Sequence, residues 1–277
     1  MKQSRAKKHD NAMTNKILMG LIALVLGLLF LEILIIHSKN EQQKSASNQV
    51  QTARIMANGD LLYHDGLYMS ALQADGSYDF TENFTYVKPW LKQADLVLGD
   101  FEGTINPDYP LSGYPLFNAP QSVTAAIKDA GYDVMDLAHN HILDSGLEGA
   151  FTTADAFKEV GIDPVGVYEK PVRDKAPLLI KNVNGIKVAI LSYAYGFNGL
   201  ESNLTEKEIA NHLSNLDEKR MKSEIERAEK EADVTVIMPQ MGVEYRLEPT
   251  EEQVALYHKM IDWGADIIFG GHPHVVE

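Results

Sequence analysis

Four short runs of Val, Ile and Leu recur along the chain, each introduced by an aspartate and ended by polar residues: ADLVLGDFE, YDVMDLAHNH, ADVTVIMPQ and ADIIFGGHPH. Short continuous apolar runs of this kind predict buried strands. Between them, apolar residues return at three- and four-residue spacing over Ser122 to Ala130, Gly146 to Val160, Asp217 to Glu231 and Thr250 to Trp263, which predicts helices. The stretch LLIKNVNGIKVAILSYA adds two alternating runs joined at Asn184-Gly185, a dipeptide suited to the positive φ angles of a tight hairpin. Alternating strands and helices with one hairpin predict an α/β fold with parallel interior strands and a mixed sheet. The polar segment Leu200 to Leu216 reads as a surface insertion. Ligand sites in open α/β sheets form at the carboxyl ends of strands, so the four polar terminators are expected on one rim.

The N-terminal pattern is different. Ile17 to Ile36, ILMGLIALVLGLLFLEILII, is apolar except for Glu32 and has the length a helix needs to cross a bilayer core of about 30 Å. Lys2, Arg5, Lys7, Lys8 and Lys16 precede it, which puts residues 1–16 in the cytoplasm and the main domain outside the cell. A cleaved signal peptide is the alternative; the apolar core exceeds the usual 7–15 residues, which favours an uncleaved anchor. Residues 37–52 read as a flexible linker and 53–277 as the folded domain, long enough for one large core.

Composition narrows the chemistry. The formal net charge is −14, and the part beyond residue 36 carries 20 basic against 37 acidic residues, or −17. With no basic stripe beyond residue 16, nucleic acid is a poor partner. There is no cysteine, so disulfides, thiolate metal sites and a cysteine nucleophile are excluded. The fingerprints of serine hydrolases, P-loop nucleotide triphosphatases and dinucleotide enzymes are also missing.

What the rim offers is ligands. Asp60 and His64 come from NGDLLYHDG, Asp100 and Glu102 from GDFEG, and His139, Asn140, His141 and Asp144 from AHNHILDSG. Gln240 and Glu244 come from PQMGVEY, and His272 and His274 from GGHPH. Carboxylates, amides and imidazoles are the set that holds Mn, Fe or Zn and can bridge a metal pair. Two divalent cations about 3.5–4 Å apart lower the pKa of a shared water and neutralise a phosphoryl oxygen, which suggests hydrolysis. Singly, NGDLLYHDG and GDFEG also read as turn chemistry, and His64 as a surface residue. GGHPH is the sharpest signal, because two glycines allow close backbone approach and proline stiffens the spacer between the imidazoles. His258 reads as a helix-surface residue. Tyr63, Trp90 and Tyr245 suit either a groove or the core.

The succession NGD, LVLGDFEGTI, LAHNHILDSG, GVEYRLEPTEEQ and GADIIFGGHPHV resembles the CapA (PgsA) family of capsule and poly-γ-glutamate biosynthesis proteins, within the calcineurin-like metallophosphoesterase superfamily. The resemblance runs from about Arg54 to the last residue. It implies an α/β/β/α sandwich with a dinuclear site: Asp60 on one metal, Glu102 bridging, Asn140 on the second, and His272 and His274 completing the shells. His141 is implied as general acid or transition-state stabiliser, oriented by Asp144. Three departures stand out. Gln240-Met241-Gly242 replaces a frequent His-Trp-Gly, so Gln240 offers a weaker ligand and one metal is expected to be labile or absent. The family's usual Asn-Asn-His is here His139-Asn140-His141, and its Asn or Leu ahead of the Glu-Gly pair is Asp100-Phe101, so His139 and Asp100 can add ligands or tune charge. Leu62 stands where the superfamily has a histidine, so His64 substitutes only if its loop bends inward. The family continues beyond the position of Glu277, so a C-terminal part of the domain is expected to be missing.

Two functions fit this reading. One is an anchored extracellular phosphoesterase acting on a cell-envelope polymer or its lipid-linked precursor. The other is a scaffold subunit of a polyglutamate or capsule synthesis and export complex, beside a membrane-bound polymer synthase, whose cations bind an anionic polymer without cleaving it.

Overall fold

The computed structural model describes residue 19, residues 27–38 and residues 50–277. Residues 1–51 and 52–277 are separate units. In the first, residues 27–38 are helical and exposed, and among the described residues no helix is long and apolar enough to cross a membrane. Much of the expected span, with the tail before it and most of the linker after it, lies outside the described residues.

The second unit holds eight strands: β1 (Ile55–Leu62), β2 (Leu96–Glu102), β3 (Val134–Asp136), β4 (Asp163–Val165), β5 (Leu179–Val183), β6 (Ile186–Ala194), β7 (Val234–Gln240) and β8 (Ile267–Ile268). They form two four-stranded sheets in sequential order. The first is parallel throughout. The second starts with the antiparallel β5–β6 hairpin and continues parallel through β7 and β8. Asn184 and Gly185, at φ 54° and 91°, make the predicted turn.

Side-chain parity sorts the strands into layers. Leu96 and Leu98, Val134, Val188 and Ile190, and Val236 and Met238 share one apolar core between the sheets. Their neighbours face outward. Val97, Phe101 and Met135 pack under helices Ser122–Ala130 and Gly146–Glu159. Ala189, Leu191, Tyr193 and Ile237 pack under helices Glu218–Glu231 and Glu251–Trp263. The result is helices, sheet, sheet, helices, the mixed α/β sandwich expected.

The recurring aspartates act at the amino ends of the strands. Asp95, Asp133, Asp233 and Asp266 each accept the backbone N–H that opens the neighbouring strand, from Arg54, Val97, Lys187 and Thr235 at 2.8–3.0 Å. Each satisfies a donor that the ladder leaves over. Half of the repeated pattern is therefore structural and lies at the end of the sheets away from the rim.

Segment 200–216 departs from the expected surface insertion. Its helix Glu206–His212 is capped by a Thr205/Glu208 box, but Leu213 and Ser214 are buried. Buried Arg173 donates to the Leu213 carbonyl at 2.9 Å while gripping Glu224 through two hydrogen bonds, which ties the segment to helix Glu218–Glu231.

Candidate functional site

The parity that fills the interlayer with Leu96, Leu98, Val236 and Met238 carries on to Asp100, Glu102 and Gln240 at the carboxyl ends, so the layer turns from apolar to polar there. In β1 the register shifts between Ala57 and Asp60, which sets Asp60 opposite Asp100. The loop after β8 then crosses this edge. Gly271 lies so close that a Cβ on it would stand 3.0 Å from Asp100 Oδ2 and 3.1 Å from Asp60 Oδ1. A side chain at this position would press on both carboxylates.

The histidines beyond it adopt left-handed backbone, with φ 93° at His272 and 56° at His274. Non-glycine residues rarely stay there unless the surroundings hold them. His272 N donates to Asp60 at 3.2 Å, and Tyr245 N donates to the Pro273 carbonyl at 2.7 Å. Tyr245 also stacks on His274, and Tyr195 packs against His272. His274 Nδ1 lies 3.1 Å from Asp60 Oδ2, and its Nε2 lies 4.0 Å from Glu102 Oε2. Glu102, His272 and His274 each offer a ligand atom, all within 4.8 Å of one another. A cavity of about 400 Å³ opens along Asp60, Gly271, His272 and His274.

Two observations test whether a cation suits this cluster. Glu102 Oε2 and His272 Nδ1 are buried with no hydrogen-bond partner, a condition that costs about 1–3 kcal/mol for a neutral group and more for a charged one. The donor set of carboxylates and imidazoles is also the one divalent cations take. The residues fit.

The electrostatics agree. Burial and the nearby Asp60 charge push the Glu102 carboxyl up to about 8. Burial opposes ionisation of Asp60 too, but hydrogen bonds from His274 and His272 outweigh it and hold its carboxyl below the usual range. Burial lowers His272 and so favours the neutral imidazole a metal needs, whereas the hydrogen bond to Asp60 raises His274. Underneath, burial and the neighbouring Asp136 push Asp100 well up, and burial takes Asp136 to about 8. Without a counter-charge, this stack of carboxyls stays partly protonated.

His141 approaches from β3. Its Nδ1 lies 2.7 Å from Asp144 Oδ2, and its Nε2 is directed to within 3.9 Å of Glu102 Oε1. Asp144 Oδ2 also accepts the Phe117 N–H at 2.6 Å, so the carboxylate is fixed from two sides. Asn140 and Gln240 form a closed pair: Gln240 Oε1 accepts the Asn140 N–H and Gln240 Nε2 donates to Asn140 Oδ1, both at 2.9 Å. The amide expected as a weak ligand is thus engaged at both ends as a brace for Asn140.

Three sequence candidates lie apart from the cluster. His64 is exposed at the start of helix Asp65–Ala71 with its ring edge-on to Phe117, which itself stands between His64 and His141; its loop does not bend inward. His139 is fully buried, neither ring nitrogen has a partner, and burial lowers it to about 3, so it stays neutral. Glu244 is exposed and acts on Glu102 and both histidines through its charge. Of the aromatic candidates, Tyr63 is core while Trp90 and Tyr245 are exposed; His258 is exposed as expected.

Asn198 was missed. At φ 53° in the loop after β6, it accepts from Asn140 Nδ2 at 3.2 Å and lies 3.4 Å from the His141 ring. LSYAYGFNG is a fifth apolar run with a polar terminator, but it lacks the introducing aspartate that marks the other four.

Comparison with known proteins bears on the fold and the family. A solved Staphylococcus aureus protein assigned as a 5'-nucleotidase, in complex with alpha-ketoglutarate, superposes with a TM-score of 0.52 over 80% of this chain and 46% of its own, at 15% identity. That likeness concerns the fold alone. The capsule biosynthesis protein CapA of Bacillus anthracis is 35% identical over 203 residues, covering 70% of this chain and 48% of that protein. The PGA biosynthesis protein CapA of Bacillus subtilis (strain 168) is 28% identical over 274 residues, or 98% of this chain and 70% of that one. The chain therefore spans about half the length of the first relative and 70% of the second. The profile of the bacterial capsule synthesis protein PGA_cap family matches residues 54–277, from the opening of β1 through GGHPH, and the chain belongs to that family.

Proposed function

We propose that this chain is a membrane-anchored, extracellular component of capsule or poly-γ-glutamate biosynthesis whose rim is a divalent-metal phosphoesterase-type site. The observation that carries the reading is the meeting of Asp60, Glu102, His272 and His274 from three separate segments, with Glu102 Oε2 and His272 Nδ1 buried and without a hydrogen-bond partner. Asp60, Glu102 and His274 would hold one cation, and Glu102, His272 and Asn140 a second, drawn from Mn, Zn or Fe. Bound there, such cations neutralise charge on a phosphoryl oxygen and activate water.

The chain's own residues supply the rest. Asp144 orients the His141 ring through Nδ1, which leaves Nε2 to deliver a proton to a leaving oxygen. Asn198 and Gln240 hold Asn140 and His141 in place. The anchor rests on the apolar run 17–36 behind five basic residues. An anionic envelope polymer or its precursor is the substrate class, with a membrane-bound synthase as partner. Metal and turnover test the reading on the full chain in detergent. Stoichiometric Mn or Zn with turnover of a chromogenic phosphodiester, abolished in His141→Ala while the metal is retained, is expected; absence of bound metal refutes it.

A second reading is favoured by the closed Asn140–Gln240 pair, which thins the ligands of the second cation. In it, the rim binds polyglutamate through its metal without cleaving it. Metal and polymer binding without turnover selects this scaffold.

A further inference from the structure

The stretch YVKPWLK, residues 86–92, turns Leu91 into the core and leaves Tyr86, Val87 and Trp90 outside at 89, 46 and 65% exposure. Water-exposed Trp and Tyr beside lysines make up the composition that settles at membrane interfaces, with amphipathic rings at headgroup level and cations beside them. The position of this patch is what gives it meaning. The Trp90 carbonyl accepts the Gln93 N–H at 3.0 Å, the Gln93 carbonyl accepts from Arg54 Nη1 at 3.4 Å, and the Arg54 N–H is held by Asp95. The patch therefore adjoins the opening of β1, where the chain arriving from the apolar run joins the domain.

The residues between that run and the domain, 37–52, span at most roughly 58 Å when fully extended. Any weak contact made from this end is thus strengthened by confinement beside the bilayer. Charge is balanced at this end: Arg54, Lys88 and Lys92 lie near Asp95, Asp129 and Asp133, with Lys88 in an ion pair with Asp129.

We propose that the face formed by Tyr86, Val87, Trp90 and Lys92 rests on a lipid surface beside the anchor. The inference rests on the anchored reading given above. Its consequence concerns the substrate. β1 runs eight residues from this end to the rim, roughly 26 Å, and the other parallel strands run with it. The metal rim then opens away from the bilayer, toward a polymer chain, and out of reach of a lipid headgroup.

Tryptophan fluorescence decides it, because the chain has only Trp90 and Trp263. The full chain carrying Trp263→Phe is reconstituted in phosphatidylglycerol–phosphatidylcholine vesicles with brominated acyl chains. Trp90 emission is expected to shift to the blue and to be quenched relative to unbrominated vesicles. Tyr114 is exposed and its ring lies 6.5 Å from that of Phe117, which packs on His141 at the rim, so a rim reporter, Tyr114→Trp with Trp90→Phe and Trp263→Phe, is expected to keep its emission. Alkaline extraction of the same vesicles separates the failures. A chain that washes off overturns the anchor and this proposal together. A retained chain with unquenched Trp90, or with both reporters quenched alike, overturns the proposal and leaves the anchor standing.

Discussion

Gln240 is the residue at which a brace and a ligand predict different measurements. It is 0% exposed, and its amide closes two hydrogen bonds of 2.9 Å with Asn140. Gln240→Ala leaves one buried backbone donor and one buried amide acceptor without partners, at about 1–3 kcal/mol each. Asn140 keeps its contact with Asn198, which favours the lower half of that range, so a loss of about 3 kcal/mol is expected. For a domain of this size, that lowers the melting temperature by roughly 6–12 °C. Gln240→Glu is expected to destabilise as well, because it sets a second acceptor against Asn140 Oδ1. The assay is thermal unfolding of the metal-free full chain in detergent and chelator, followed by circular dichroism. If Gln240→Ala melts with the parent in chelator while metal affinity alone falls, Gln240 is a ligand and the brace is refuted.

Other expectations follow from the same geometry. Glu102 and Asp136 ionise near 4 in an unfolded chain but only near 8 in the fold, so between those values the fold holds protons that the unfolded chain has lost. Their contribution to metal-free stability is therefore present in full at low pH and falls as pH rises toward 8. Melts in chelator from pH 5 to 8 should show a decline that Glu102→Gln flattens, and an unchanged slope in that variant contradicts the assignment. Because a cation at Glu102 displaces its proton, metal binding at pH 7 should release protons, read as a buffer-dependent heat in calorimetry. Gly271→Ala sets a Cβ against Asp60 and Asp100 and should weaken metal binding by about 10-fold or more, measured by competition with a chelating dye. Asp133→Ala removes the acceptor of the Val97 N–H and should cost about 1–2 kcal/mol in denaturant unfolding with metal affinity intact.

The contrast between Asp133 and Asp100 shows what a linear pattern can carry. Both flank the same kind of apolar run, Asp133 introducing one and Asp100 ending another. Asp133 closes the amino end of a sheet, whereas Asp100 stands under the rim opposite Asp60. Their order within the runs separates them, and the parallel pairing of β1, β2 and β3 brings like ends together. His64 and His274 make the same point, because each sits among turn residues. His274 reaches Asp60 because the loop after β8 passes over Gly271 and is held by Tyr245, while His64 starts a helix with its ring edge-on to Phe117.

Short-range periodicity by itself determined the four long helices, six of the eight strands, the Asn184-Gly185 hairpin and the ligand chemistry at the strand ends. These depend on spacings of two to four residues, which a linear reading contains. Only the tertiary structure decided which polar residues converge, that Gln240 braces Asn140, that Asn198 joins them and that His139 is sealed inside. Those facts depend on contacts between residues 58 to 212 positions apart. They are set when two sheets pack face to face, and no local periodicity encodes that register.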